Sequence, residues 1–270
     1  MVKAFPQPSQ KHEETVCCAG VTEDGQALLR LFPIRYRRLG KDDQFDRFDL
    51  VEMTITKASD PRPESYRVDE ASIHRLERGK QLADAAKVRL WAPFIAPSLK
   101  GLMAENADNN RSLGIIKPDP DSLKFVVKEA AQSEQDDQAV AKMVFEQASL
   151  LEGLLKPIEK PRYSFSYHYT CAGHPHKHQI HDWEVQAAFN HYKRRYKTED
   201  EALKMMQQEY GQNIPRYNLH FIMGTMASHP RTFIVIGLLR SKLDPEEVNK
   251  QGVLDLQKAP GSGGDMPLLS

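Results

Sequence analysis

Apolar and polar residues alternate and recur along this chain at spacings that predict its elements in turn. Thr15 to Val21 and Ala27 to Phe32 are short apolar runs separated by Glu23-Asp24-Gly25-Gln26. An Asp-Gly pair between two such runs predicts a β-hairpin, because it tolerates the positive φ that tight hairpin turns require. From Phe48 to Thr56, Leu50, Glu52, Thr54 and Thr56 alternate with Val51, Met53 and Ile55. That period of two marks a half-buried strand. The N-terminal part therefore reads as a small antiparallel sheet or barrel-like module. Asp60-Pro61-Arg62-Pro63 follows as a stiff turn, since each proline fixes its own φ and restricts the residue before it.

Helical spacing comes next. Asp69 is placed to N-cap a segment running through Ile73 and Leu76. Leu82 to Leu90 and Ala96 to Met103 also read as helix, with breaks at Pro93 and Pro97. Leu113 to Ile116 and Leu123 to Val127 read as strands around the turn Pro118-Asp119-Pro120-Asp121. Ala130 to Asp137 is polar and acidic, either a loop or the exposed start of a helix covering Val140, Val144 and Phe145. A domain boundary is expected near it.

Arg162 to Tyr169 alternates again, with Tyr163, Phe165, Tyr167 and Tyr169 on one face and Ser164, Ser166 and His168 on the other. A helix is predicted from about Asp182 to Tyr196, its core stripe formed by Val185, Phe189, Tyr192 and Tyr196. Thr198 and Glu201 make the capping box of a second helix ending near Gly211. Leu219 to Gly224 and Thr232 to Leu239 pair as a hairpin around Met226-Ala227-Ser228-His229-Pro230. Asp244-Pro245 starts another helix, and from Ala259 the chain is rich in Gly, Pro and Ser. Runs of strands followed by runs of helices predict an α+β fold. The expected division is 1–130, a β-rich module with a helical extension; 131–258, an α+β domain; and 259–270, a flexible tail.

Composition narrows the function classes. The chain has 270 residues, with 37 Lys and Arg against 37 Asp and Glu, so bulk charge does not attract polyanions. Any anion binding must come from local clustering. No apolar run reaches the roughly 18 residues of a membrane span, and the start lacks a signal-peptide core. A soluble, cytoplasmic protein with no membrane partner is expected. Three cysteines, Cys17, Cys18 and Cys171, make a poor disulfide framework. The adjacent pair points to opposite faces of a strand and reads as inert core cysteine.

The densest chemistry lies between Tyr169 and Glu184. Six of the ten histidines fall between His168 and His191. Read as a turn, this segment offers Cys171, His174, His178 and His181 as a ligand set for Zn²⁺, with two-residue gaps between the first pair and the last pair. A solvated histidine loop is the plainer reading of the same residues. His181, Asp182 and Glu184 form a candidate catalytic group, the carboxylates holding Mg²⁺ beside a scissile phosphate. The plainer reading of Asp182 is an N-cap with acidic neighbours at the positive helix end.

Two basic clusters with aromatics complete the candidates. Arg35, Arg37 and Arg38, joined by Arg62 and Arg67, form one. Lys193, Arg194 and Lys197 form the other, projecting from the predicted helix away from its apolar stripe. Both have the cationic density that phosphate contacts need, and both have acidic neighbours that could neutralise them. Together these features predict a nucleic-acid-binding protein for DNA or RNA, with a metal-dependent nuclease as its catalytic form. The alternative is a non-catalytic interaction subunit of a larger assembly, contacting a protein partner or a second copy of itself.

Overall fold

A computed structural model describes residues 2–4, 6–9, 13–79, 82–129, 162–245 and 247–248. The acidic stretch at 130–137, the helix expected over Val140, Val144 and Phe145, and the tail from 259 lie outside them.

The expected first hairpin forms. Strands β1 (Val2–Lys3), β2 (Gln7–Ser9), β3 (Glu13–Val21) and β4 (Leu28–Ile34) open the chain, and β3 and β4 pair antiparallel. Gly25, at φ 69°, supplies the left-handed residue of the connecting turn. The single strand expected from Phe48 to Thr56 is instead two, β5 (Leu50–Glu52) and β6 (Ile55–Lys57). The alternation continues across the break, but the halves take different partners. β6 pairs with β7 (Ser65–Val68), and β5 pairs with β8 (His74–Glu77). Because β7 also lies parallel to β4, the main N-terminal sheet runs β1-β3-β4-β7-β6, with β2 beside β3. Asp69 does cap, accepting from the Ala71 amide, but what it caps is one 3₁₀ turn, Glu70–Ser72. The predicted helix through Leu76 is strand β8, and Leu76 is exposed.

Helix α1 (Asp84–Trp91) and helix α2 (Leu99–Asn109) follow, the latter capped by Ser98 and closed by Asn110 at φ 62°. The strands expected on either side of Pro118-Asp119-Pro120-Asp121 are β9 (Leu113–Ile116) and β10 (Lys124–Glu129). Next come β11 (Tyr163–Cys171), β12 (His174–Gln179), helix α3 (Trp183–Tyr196) and helix α4 (Glu199–Gln208). The Thr198 hydroxyl accepts from the Glu201 amide, as the capping box predicts. A π-helical turn, Glu209–Asn213, leads toward β13 (Asn218–Met226) and β14 (His229–Ser241), which form the expected C-terminal hairpin. The fold is α+β.

Two three-stranded sheets, β10-β11-β12 and β14-β13-β9, enclose the largest core with α2, α3 and α4. Tyr167 stacks on Phe221 across that core, with ring centroids 5.2 Å apart, and Phe189 of α3 packs on Phe165 at 5.7 Å. A second core joins Val2, Ala19, Val88 and Trp91 to Ile115, Ile222 and Ile236. A third gathers Val16, Ile34, Phe45 and Ile73, with Trp183 packed on its edge. The strands on either side of the boundary expected at 130 are neighbours in one sheet, since β10 pairs with β11. Among the described residues no helix is long and apolar enough to cross a membrane.

Candidate nucleic-acid interface

The histidine-rich segment is a strand. Ala172 and Gly173 both have positive φ, 50° and 77°, and close a two-residue hairpin turn. Cys171 then faces His174, Tyr169 faces His176 and Tyr167 faces His178. Histidine at every second position from 174 to 178 is a period of two, which a hairpin reads as one face of a strand. That face is the inner one. The Tyr169 hydroxyl and His178 Nδ1 are 3.0 Å apart. Burial, aided by His176, pushes the His178 pKa down to about 4, so the ring is neutral at physiological pH.

This strand corrects the expected zinc set. Cys171 is buried against the core with its Sγ 3.5 Å from the Lys117 carbonyl oxygen, and burial raises its pKa. His174 is exposed at the turn, while His178 is held beneath the sheet by Tyr169. His181 lies beyond the strand, its backbone amide donating to Val235. A loop could have wrapped four such side chains around one ion; a pleated strand spreads them out. Among the described residues no group of three or more His, Cys, Asp or Glu side chains is placed to hold a metal.

Of the expected catalytic carboxylates, Asp182 is bound up in the fold, while Glu184 is exposed and ion-paired with Arg47. Asp182 is 1% exposed and caps α3 by accepting from the Glu184 amide. Its other oxygen accepts from the Leu238 amide at 2.9 Å and from Arg47 at 3.1 Å. Arg47 also reaches Glu184 at 2.9 Å and donates to the Leu238 carbonyl. Both Asp182 oxygens are committed inside the protein, leaving none facing a substrate. Nearby, Lys3 is 9% exposed and donates to the Phe45 carbonyl at 2.6 Å, with its ammonium over the Tyr36 ring at 4.2 Å. Burial lowers its pKa, partly opposed by Cys18 and Asp46.

The first arginine cluster is divided by its partners. Arg35 pairs with Glu70 at 2.8 Å and Arg37 with Glu14 at 3.0 Å. Arg62 turns back onto Asp60, whose pKa this hydrogen bonding lowers, and toward the Thr225 carbonyl. Arg35 and Arg67 do share a groove of about 480 Å³ with Pro33, Thr54 and Thr56. Arg67 has no ion-pair partner among the described residues, whereas Arg38 sits on the 3₁₀ turn Tyr36–Arg38. On α3, Lys193 pairs with Glu199 at 2.6 Å, while Arg194 and Lys197 are exposed at the helix C-terminus. Lys197 takes φ 65° as the C-cap.

The concentration of cations that the sequence reading missed lies on the outer face of the β10-β11-β12 sheet. Register places Lys124 opposite His168 and His168 opposite Lys177, one row across three strands. Lys128 stands on the same face opposite Ser164, and Ser166 and Gln179 fill the row between. Lys124, Lys128 and Lys177 are exposed, and among the described residues none has a carboxylate partner. Strand neighbours lie about 4.8 Å apart, so the row sets three basic groups within about 10 Å. Like charges directly opposite one another oppose sheet formation. His168 avoids that opposition by giving up its proton more readily, since desolvation first and then Lys177, Lys128 and Lys124 lower its pKa. The four-residue spacing of Lys124 and Lys128 puts them on one strand face, a signal present in the sequence; their meeting with Lys177 depends on pairing that it does not display.

Comparison with known families gives two matches. A family described as "Domain of unknown function (DUF8758)" matches residues 1–92, and one described as "Domain of unknown function (DUF8757)" matches residues 96–257. No curated protein and no solved structure matches the chain.

Proposed function

We propose that this chain, which belongs to the DUF8757 family, binds nucleic acid through the outer face of the β10-β11-β12 sheet. The row Lys124–His168–Lys177, with Lys128 beside it and no acidic residue on the same strand faces, carries this reading. Surface lysines are usually interspersed with acids; here three stand on one sheet face, two of them flanking His168. Phosphates are the ligand that such a face would take up, and Ser166 and Gln179 between the lysines add neutral donors for phosphate oxygens. The His168 imidazole is the one aromatic ring on these strand faces, so contact runs mainly through the phosphate backbone and is largely indifferent to sequence. Arg194 and Lys197 are secondary contributors.

The test is fluorescence anisotropy with labelled single-stranded and duplex oligonucleotides. Three lysine contacts give a log–log salt slope of about −2 on a single strand. The variant K124A/K128A/K177A is expected to lose at least about tenfold in affinity at low salt and to flatten that slope. Wild-type affinity in the triple variant sinks the assignment. Salt-insensitive association with itself or with another protein supports the interaction-subunit reading in its place.

A further inference from the structure

A second site lies away from that face, in the cleft where residues of the 1–92 match meet residues of the 96–257 match. It has a volume of about 580 Å³ and is bordered by Phe48, Trp91, Arg216, Tyr217, Arg240 and Lys242. Small-molecule sites run to roughly 300–1,000 Å³ and favour such junctions.

Two uncommon backbone features converge on it. Phe48 takes φ 69°, a left-handed conformation rarely adopted by a bulky residue. It is held there by Gly79, where any Cβ would strike the Phe48 carbonyl, while the Gly79 amide is fixed to Asp49 at 2.8 Å. Across the cleft, the π-helical turn Glu209–Asn213 contributes Glu209 and Asn213 to the lining. From behind, the Tyr167 hydroxyl pins the turn by donating to the Tyr210 carbonyl at 2.6 Å. π-turns and left-handed bulky residues both concentrate at functional sites, and here both line one cavity.

The charges in the cleft select the ligand. Four cations line it, Lys87, Arg216, Arg240 and Lys242, against two carboxylates. Both carboxylates are engaged: Asp84 with Lys87 at 3.8 Å and Glu209 with Arg240 at 3.1 Å. Arg216 and Lys242 are left without a carboxylate partner among the described residues. The excess is positive, which favours an anion and disfavours a metal ion. Phe48 and Tyr217 are half-buried and present ring surface, and the Arg240 guanidinium lies over the Tyr217 ring at 5.8 Å. Ring surface beside unpaired Arg and Lys suits a ligand that has both a flat ring and a phosphate.

We propose that the cleft binds a nucleoside monophosphate, its phosphate held by Arg216 and Lys242 and its base packed on Phe48 and Tyr217. Isothermal titration and thermal shift with AMP, GMP, CMP and UMP test this on the full chain, with adenosine and inorganic phosphate as controls. At least one of the four is expected to bind saturably and raise the Tm. Arg216→Ala with Lys242→Ala should weaken that binding at least about tenfold without lowering the Tm of the free protein, because both side chains are exposed or rim-placed. Adenosine and inorganic phosphate should each bind at least about tenfold more weakly than the nucleotide. K124A/K128A/K177A should bind it as the wild type does, which separates this cleft from the sheet face. No saturable binding by any of the four at about 1 mM, undiminished binding in the Arg216/Lys242 variant, or phosphate alone binding as tightly as the nucleotide would each overturn the assignment.

Discussion

Arg47 is the residue that lets Asp182 be buried. A carboxylate that is 1% exposed loses nearly all its hydration, and it is stable there only because two amides and a guanidinium replace the lost water. Burial works against the charge on Arg47, and Asp182 and Glu184 outweigh it, so its pKa is raised. Removing one partner of such a pair leaves the other charged and unanswered, which costs about 3–5 kcal/mol. Arg47→Ala should therefore unfold at markedly lower denaturant concentration, with an unchanged slope, in a urea titration followed by circular dichroism. Asp182→Ala should fall by a similar amount, and the double variant by much less than the sum, because the two changes remove the same interaction. Additive losses would mean that each residue is stabilised separately. The sequence marks Asp182 as an N-cap, but its link to a residue 135 positions earlier comes only from the fold.

The strands show what periodicity conveys and what it omits. Alternation identifies β11 and its buried face correctly, because a strand between core and solvent must repeat every two residues. It also runs through 174–178, where the chemistry of clustered histidine suggests a ligand loop and the backbone forms a strand. It runs unbroken through 50–56, where the chain divides between two sheets, since a pattern of faces carries no information about partners. The outer face of β10-β11-β12 is illegible for the same reason: Lys124 and Lys177 meet His168 through pairings formed across 44 and 9 residues of chain. If the repulsion in this row is retained for binding, stability and affinity must move in opposite directions. Lys177→Glu should stabilise the chain at low salt by about 0.2–1 kcal/mol, the scale of one cross-strand pair, once pH is low enough to protonate its partner His168, and weaken oligonucleotide binding. The same substitution should raise the His168 pKa toward its ordinary value of 6.5, readable by NMR titration, as it removes one of the charges that lower it. A destabilised variant with an unmoved His168 would show that the three groups do not share a field.

At the scale of the molecule, the two family matches describe stretches of chain, while the packing describes one cooperative body. Val2, Ala19, Val88 and Trp91 share a core with Ile115, Ile222 and Ile236. Trp183 packs on the N-terminal core. Between them lies a polar junction. Arg30, 6% exposed, donates to the Ser112 carbonyl at 2.9 Å and to its hydroxyl oxygen at 3.1 Å. Glu64 accepts from the Ser112 amide at 2.5 Å and from its hydroxyl at 2.6 Å. Neither half can keep these contacts alone: separation would expose apolar surface on both, leave Arg30 and Glu64 of the N-terminal half without Ser112, and leave the Ser112 amide and hydroxyl unpaired. Unfolding should accordingly be a single transition. The two tryptophans, Trp91 and Trp183, each sit where the halves meet, so their fluorescence reports separation and far-ultraviolet circular dichroism reports loss of secondary structure. The two curves should coincide in urea. Glu64→Ala, which removes a charged acceptor for two donors, should shift both together by about 1.5–3 kcal/mol. A fluorescence change that precedes the loss of secondary structure, or a Glu64→Ala curve that splits in two, would show that the halves dock as separate domains and that the cleft between them can open without unfolding.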